Sequence, residues 1–406
     1  MSDLSGPLAG ANAVGSLAGD DAVVVVHAGE EPPDRWVASL FLAGPTPRSA
    51  EVASWRPDAL SAIRERWSGP GTLVVFVPEP RSGAPWPEYE HQRTWELRWG
   101  DRADQVVFWI PRGPGMPALT TNDEFGRWKD SGRVVLGTPP DAESVRYQRG
   151  YAADQRIPVA STLTGTIDLA LARLGSGALR TGGERHVPLL VWRTPSFQNW
   201  LARQTAAGNE LLAGRLEWTF RVGDDLERVF LWAFHAHVRV AAEDRVKTNE
   251  VVLARPDIAT VVAHRPAAEV ADTEVVLVRE FRSPAGFVLE LPGGSSEGDE
   301  PMREVAAVEL GEETGLTIAP ERLRAHHVRP LAATFSAHRQ HLFSVELTED
   351  ELAAVRAVTG PLGETGSSER TYPRVMRFGD LLAGGEVDWT TLGALAEVLL
   401  SGRDSS

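Results

Sequence analysis

Long apolar runs alternate with segments of helical spacing in the first part of the chain. Four mostly apolar runs predict buried strands: Trp36–Ala43, Thr72–Val77, Gln105–Ile110 and Arg133–Gly137. Residues 54–67 and Tyr89–Trp99 have helical spacing, and residues 148–174 predict a closing helix, strand and helix. Strands that are apolar on both faces and separated by helices are typical of a covered parallel sheet. The pattern predicts an α/β fold with a flavodoxin-like parallel sheet over residues 34–178.

The rest of the chain predicts a connector followed by a second domain. The glycine-rich stretch Gly175–Glu184 indicates a linker. Residues 179–244 are predicted to be a connector, in which residues 187–240 are rich in Trp, Phe and Leu and contain at least one helix, Ser196–Leu212. Residues 245–402 are strand-rich before a glycine-rich turn, with apolar runs at Val251–Ala254, Ile258–His264 and Glu274–Arg279.

Residues 1–33 are rich in Gly, Ala, Ser and Pro, and they predict a flexible segment around the short run Ala22–Val26. They lack the basic and apolar regions of a secretion signal. No apolar stretch approaches the roughly 20 residues that a bilayer-spanning helix needs. We therefore expect a cytoplasmic protein with no membrane partner.

Composition and charge narrow the classes of function. A chain of 406 residues is too long for one typical hydrophobic core. Its net charge of −15 argues against general binding of nucleic acid. Small phosphorylated substrates stay compatible with it, because a bound cation and a few arginines invert the local field. The absence of cysteine excludes disulfides, thiolate nucleophiles and cysteine-ligated zinc.

The segment from Glu290 to Leu316 reads ELPGGSSEGDEPMREVAAVELGEETGL and predicts a glycine turn followed by one helix over residues 300–313. Asp299 is suited to cap the start of that helix, and Gly315 is suited to end it. The alternative to a functional helix is a solvated surface helix that carries four glutamates.

The angular positions of two glutamates favour a metal site. Glu309 and Glu313 lie within about 40° of the apolar Met302 and Ala306 when the helix is viewed down its axis. Unpaired like charges are costly on a half-buried stripe. A hard cation such as Mg²⁺ or Mn²⁺ removes that cost, because it prefers oxygen ligands and bridges to substrate phosphates.

This segment resembles the Nudix box, Gly-x5-Glu-x7-Arg-Glu-U-x-Glu-Glu-x-Gly-U with U a bulky aliphatic residue. Each fixed position matches except the arginine, which is Val308 here. The resemblance implies a Nudix α/β/α sandwich with a mixed sheet that hydrolyses a nucleoside diphosphate linked to another group. It implies Glu309, Glu312, Glu313 and the carbonyl of Gly293 as metal ligands, with Glu312 and Glu313 catalytic. Loss of the supporting arginine implies activity or metal affinity lower by about 10–100-fold.

The flanks, Val276–Pro284 and Glu290–Gly294, resemble the ADP-ribose pyrophosphatase branch of that family. This branch implies that Arg279, Arg282 and Glu290 bind substrate, although either arginine is also compatible with a surface role. The loop Gly363–Arg370 offers a further carboxylate in Glu364 or Glu369, or is only a hinge. His338 and His341 have the spacing of one helical face, and a structural or substrate-facing role is favoured over zinc.

A second candidate site lies in the first part of the chain. The run Leu40–Pro45 is a strand that enters a glycine turn at Gly44, the place where α/β folds bind ligands. Glu124 lies in the polar run TTNDEFG, and we expect a short loop at the carboxyl end of a strand that presents it to the cleft. Glu96 offers a second carboxylate.

Residues 36–175 resemble the nucleoside 2-deoxyribosyltransferase family. The resemblance implies that Glu124 is the nucleophile at the anomeric carbon and that Glu96 handles the nucleobase. The family aspartate that holds the sugar hydroxyls is Ala118 here, and Thr120, Asn122 or Asp123 would take its place. The alternative is a flavodoxin-like domain in which Glu124 only caps a helix.

The two resemblances together predict an enzyme that acts on a nucleotide or nucleoside, with an N-glycosidic bond cut in one domain and a pyrophosphate bond in the other. An ADP-ribose-like compound suits both activities, and both families imply a homodimer. Two alternatives stay open. The domains have lost catalysis and sense a nucleotide, or only the Nudix domain is active and the first domain is a platform.

Overall fold

The computed structural model describes residues 22–47, 51–82, 89–295, 298, 300–363 and 370–400, and of Tyr89 only the backbone. Contacts divide the chain into two compact units, Met1–Arg185 and His186–Ser406. Most of the predicted flexible segment, residues 1–21, lies outside the described residues. Within them, no helix has the length and apolar character to cross a membrane.

The first unit is built on a six-stranded parallel sheet. Its elements in chain order are β1 (Val23–His27), β2 (Arg35–Trp36), β3 (Ala38–Ala43), α1 (Arg56–Arg66), β4 (Leu73–Val77), α2 (Tyr89–Gly100), β5 (Gln105–Trp109), α3 (Leu119–Trp128), β6 (Val134–Gly137), α4 (Arg146–Asp154), β7 (Val159–Ala160), α5 (Leu163–Leu174) and β8 (Arg180–Thr181). The strand order is β1-β4-β3-β5-β6-β7, and each neighbouring pair is parallel. This confirms the predicted parallel sheet.

The strand order fixes where this sheet binds ligands. From β3 onward the strand order is the 2-1-3-4-5 order of doubly wound folds. The chain places β4 on one side of β3 and then β5, β6 and β7 on the other side, so the order of strands reverses between β3 and β5. The strands are buried on both faces, and aromatic rings fill the core, with Phe76 stacked on Trp99 at 4.9 Å between centroids. The loops that follow β3 and β5 therefore diverge and leave a crevice at the carboxyl edge.

The segment predicted as a linker, Gly175–Glu184, is instead fastened to the first unit. Arg180 is fully buried and donates two hydrogen bonds to the carboxylate of Asp104, at 2.7 and 2.6 Å. Ser39 donates to the same carboxylate from its backbone and its hydroxyl. The strand β8 also pairs with β2. Buried charges persist only when they are paired and hydrogen-bonded, so this group holds residues 178–181 in place.

The second unit begins with a three-stranded antiparallel sheet. Its elements are α6 (Leu189–Trp192), α7 (Pro195–Ala206), β9 (Glu210–Val222), β10 (Arg228–Val240) and β11 (Arg245–Ala254). Phe197 and Trp200 of α7 pack on Trp232 and Phe234 of β10. The helix predicted over Ser196–Leu212 ends at Ala206, because Gly208 has φ +75° and the chain turns there into β9.

A mixed sheet with helices on both faces completes the second unit. Its elements are β12 (Ile258–Arg265), β13 (Glu274–Arg282), β14 (Gly286–Glu290), β15 (Gly293–Ser295), α8 (Met302–Thr314), β16 (Arg324–Pro330), β17 (Arg339–Glu346), α9 (Glu349–Ala357), β18 (Tyr372–Arg377), α10 (Phe378–Ala383) and α11 (Trp389–Leu400). The main path is β14-β13-β12-β17-β16, in which only β12 and β17 are parallel. The helix α8 covers one face, and α10 and α11 cover the other.

Arg180→Met is expected to destabilise the protein by about 3–5 kcal/mol, because it leaves the carboxylate of Asp104 buried without its ionic partner. The measurement is the free energy of unfolding in urea. Arg66→Met is the control, since Arg66 pairs with Asp168 at the surface, and such pairs contribute only about 0–1 kcal/mol. Equal losses for both variants would contradict the role given to Arg180.

Candidate active site

A cavity of about 510 Å³ opens at the carboxyl edge of the parallel sheet in the first unit. The residues that line it follow β3, β4 and β5 or belong to α1, α2 and α3, and they include Gly44, Arg56, Glu96, Asp123 and Glu124. It coincides with the reversal of strand order between β3 and β5, where doubly wound folds bind ligands. Its volume lies in the range of small-molecule sites.

Glu124 belongs to a helix and not to the short loop that the sequence predicts. It is the sixth residue of α3, a helix that begins at Leu119 after Ala118. Ala118 makes no side-chain cap and has φ +56°, so the chain turns sharply from the loop into the helix. Glu124 therefore faces the cavity from the body of α3, and it is not a helix cap.

Burial raises the pKa of both cavity carboxyls, and the charge of Glu96 adds to the rise at Glu124. The pKa of Glu124 is raised to about 8, first by burial and then by Glu96, while Arg56 opposes the shift. The pKa of Glu96 is also raised by burial, against a hydrogen bond of 2.7 Å from Gln92 and the charge of Arg56. Two carboxyls that repel one another titrate as a pair. At neutral pH the pair therefore retains a proton.

Arg56 is a site residue that sequence reasoning missed. It is 1% exposed, and its guanidinium donates hydrogen bonds to the carbonyls of Leu42 and Gly44, to the hydroxyl of Thr46 and to Glu79. Burial lowers its pKa, and the charge of Glu79 is the largest opposing cause. Because its partners are mostly backbone carbonyls and a glutamate 23 residues away, no local motif marks it.

The other predicted residues of this site divide into two groups. Gly44 and Asp123 line the cavity together with Glu96 and Glu124. Gly44 has φ +144°, and a Cβ there would overlap the carbonyl of Trp109. Asn122 does not line the cavity, because its side-chain oxygen accepts hydrogen bonds from Arg112 and Gln148 at the surface.

In the second unit, two of the predicted metal ligands converge on the glycine turn. Glu313 is 3% exposed and accepts a hydrogen bond of 2.8 Å from the backbone N–H of Gly293. The carboxylate of Glu309 lies so close to Gly294 that a Cβ there would overlap it. Glu312 is exposed and Val308 is 57% exposed, so neither side chain joins this pair within the described residues.

The donors of this turn suit magnesium better than a dense metal cage. The described residues contain no group of three or more His, Asp or Glu side chains placed to hold a metal ion. Mg²⁺ is commonly bound by only one or two carboxylates, with waters and substrate phosphates as further ligands. Glu309 and Glu313, on adjacent turns of α8, are compatible with that pattern.

The predicted substrate residues of the second unit lie on opposite faces of β13. Arg282 donates a hydrogen bond of 2.7 Å to Glu290 and forms an ion pair of 2.7 Å with Glu280. Burial opposes ionisation of Arg282, but the charges of Glu290, Glu280 and Glu313 together raise its pKa. Arg279 is separated from them by the alternation of the strand and lies over the ring of Phe287 at 3.8 Å.

The predicted helical pairing of His338 and His341 is wrong, because His341 lies in β17 and interacts with Asp257 at 3.4 Å. His338 precedes that strand and is hydrogen-bonded to Ser336. Glu364, Glu369 and Asp299 lie outside the described residues.

Comparison with known proteins supports one of the two resemblances. A protein-family model described as nucleoside 2-deoxyribosyltransferase like matches residues 37–142, which include Glu96 and Glu124. The first unit is therefore similar to that family over residues 37–142. The match does not extend to the second unit, where the Nudix resemblance depends on the residues alone. A search of curated proteins finds no match to the chain.

Glu96→Gln is expected to lower the pKa of Glu124 from about 8 toward its ordinary value, because it removes the second-largest cause of the rise. Burial remains, so the pKa stays elevated. The measurement is an NMR titration of the Glu124 carboxyl carbon. Asp123→Asn is the matched control and should have a smaller effect, since Asp123 is exposed and contributes least. An unchanged Glu124 pKa in Glu96→Gln would show that the two carboxyls do not interact.

Proposed function

We propose that the nucleoside 2-deoxyribosyltransferase-like domain breaks the N-glycosidic bond of a nucleoside or nucleotide, with Glu124 as nucleophile and Glu96 as the acid. The observation that supports this most strongly is the placement of both carboxyls and Arg56 around one cavity of about 510 Å³. The matched family range contains both carboxyls. A cavity of this size accommodates a nucleoside.

The proposed reaction has two balanced steps. The carboxylate of Glu124 attacks the anomeric carbon, the bond from that carbon to the base nitrogen breaks, and its electron pair stays on the nitrogen. The carboxyl of Glu96 gives its proton to the leaving base. In the second step an incoming base or water attacks the anomeric carbon, the bond from that carbon to the carboxylate oxygen of Glu124 breaks and frees the carboxylate, and Glu96 takes up the proton that the acceptor loses.

The working form of the pair holds one proton, with Glu124 ionised and Glu96 protonated. Free Glu124 has a pKa of about 8, so the proton resides mainly on Glu124 before substrate binds. The positive charge of Arg56 stabilises ionised Glu124 and ionised Glu96 alike, so it sets how readily the proton leaves the pair. Above about pH 8 the pair loses this proton, and kcat/KM should fall because no acid remains for the base.

Glu124→Gln and Glu96→Gln should each lower base release from nucleosides by about 10²–10⁴-fold or more, because each variant removes a reacting group. The measurement is chromatographic detection of free base across a panel of ribo- and deoxyribonucleosides. Glu65→Gln is the control, since Glu65 is an exposed residue of α1. Unchanged base release in Glu124→Gln would support the alternative that this domain is only a platform.

We further propose that the second unit is a Nudix-type hydrolase for an ADP-ribose-like substrate. Support comes from the convergence of Glu309 and Glu313 on the Gly293–Gly294 turn. These two carboxylates and the Gly293 carbonyl would hold Mg²⁺ or Mn²⁺, which when bound neutralises a pyrophosphate and acidifies water. Arg282, set between Glu290 and Glu280, would exchange part of this pairing for a substrate phosphate.

Because Glu312 is exposed, its proposed role differs from that of Glu309 and Glu313. It lies four residues after Val308 on α8, the spacing at which an arginine and a glutamate pair along a helix. Glu312 would therefore act as a base from the solvent side, without an arginine to position it. A homodimer, which both resemblances imply, belongs to the same proposal and is tested by the sedimentation coefficient.

Purified protein with Mg²⁺ or Mn²⁺ should hydrolyse ADP-ribose, NAD or a nucleotide sugar, and Glu309→Gln with Glu313→Gln should abolish product formation. V308R should raise the rate by about 10–100-fold, because it restores a partner that positions Glu312. The measurement is counting of phosphate-containing products, with V308K as a control for charge alone. Tight nucleotide binding without turnover under each metal would favour the sensor alternative.

A further inference from the structure

Another cavity of the second unit lies on the face of the mixed sheet opposite α8. It encloses about 500 Å³, and its lining includes His264, His326, Arg324 and Ser344. Val262 and Leu342 pack with α11 on this face. His264 and Ser344 stand two residues further along the same strands, so their side chains point to the same side. Glu309 and Glu313 lie on α8, which covers the other face.

His264 is buried with one of its ring nitrogens facing the cavity. It is 7% exposed, and the one hydrogen bond of its ring among the described residues joins Nδ1 to the carbonyl of Val262 at 3.2 Å. Because a carbonyl only accepts, Nδ1 carries a hydrogen, and Nε2 makes no hydrogen bond with the described residues. Since His264 lines the cavity, a ligand there could bond to Nε2.

His326 and Ser344 form the wall next to His264. His326 is half-buried, and its Nε2 lies 2.7 Å from the hydroxyl of Ser344. The pKa of His326 is lowered first by burial and then by the nearby charges of Arg324 and His264. An anion placed among these groups would relieve their repulsion.

The charged groups at the mouth of the cavity are mostly basic. Arg324 makes no ion pair with the described residues, whereas Arg322 pairs with Glu351 at the surface. Glu346 is the one carboxylate among the described lining residues, and it is exposed. In a chain with a net charge of −15, a cavity with two arginines and two histidines is an exception. Such a local field selects anions.

We infer that this cavity is a binding site for a phosphoryl dianion, either free phosphate or the phosphate of a small monoester. Nε2 of His264 and Nδ1 of His326 would donate to its oxygens when protonated, and Arg324 would close the site from solvent. Charge-assisted bonds of this kind are the strong class of hydrogen bond. The site lies on the face of the sheet opposite α8, and its residues belong to the second unit only, so the inference does not depend on either proposed activity.

The test is calorimetric titration of the full chain, in buffer with EDTA, with inorganic phosphate and with ribose 5-phosphate. His264→Gln and Arg324→Gln should each weaken binding by about tenfold or more, since each loses a bond to a charged group. His327→Gln should bind like the parent, because His327 is largely exposed and pairs with Glu397. Much tighter binding of ribose 5-phosphate would identify a monoester as ligand, and equal binding would identify free phosphate.

A titration with sulfate shows whether the pH dependence of binding comes from the protein. Sulfate stays a dianion over the pH range tested, so the ligand itself gains no proton. Binding should tighten from about pH 8 to about pH 6 as His326 gains a proton. Arg324, His264 and His327 oppose that protonation and Glu397 favours it, while Arg322 and Glu346 also line the cavity. Absence of binding by phosphate and by ribose 5-phosphate, or equal affinity in the parent and the folded His264→Gln and Arg324→Gln variants, would overturn the site. Retained thermal unfolding temperatures establish that the variants are folded.

Discussion

The buried guanidinium of Arg56 holds together the carboxyl edge of the parallel sheet. It binds the carbonyls of Leu42 and Gly44 at the end of β3 and Glu79 beyond the end of β4. Burying a charge is costly unless its hydrogen bonds are satisfied, so these partners are held in one arrangement. The turn at Gly44, and with it the mouth of the cavity, takes its shape from this constraint.

The positive charge of Arg56 also affects the pKa of the two carboxyls in the cavity. Glu96 and Glu124 are half-buried. Burial raises the pKa of both, the charge of Glu96 raises that of Glu124 further, and Arg56 is the cation that opposes these rises. If Arg56 fully offset these rises in pKa, both carboxyls would be ionised at neutral pH. No proton would then be left for the departing base of the proposed reaction. Without Arg56, the pKa of both carboxyls would rise further. The proposed displacement at an anomeric carbon requires one ionised carboxyl and one protonated carboxyl.

The second unit handles buried charge in a different way. Glu313 is satisfied by a backbone N–H of the glycine turn, and Arg282 is shared among carboxylates. The opposite face of the same sheet carries His264 with a ring nitrogen turned to a basic cavity. Carboxylates therefore cluster on one face of this sheet, and basic side chains cluster on the other. Strand alternation alone keeps the two apart.

Sequence by itself determined the parallel sheet, since continuous apolar strands between helices have few other solutions, and it placed Glu96, Glu124, Glu309 and Glu313 among the candidates. Tertiary structure alone decided the partners. It put Glu124 inside α3, fastened the supposed linker through Arg180, separated Arg279 from Arg282, and brought Arg56 to Glu79. Periodicity reports which face of an element is buried, whereas a buried charge is paired through contacts distant in the chain, which no local pattern records.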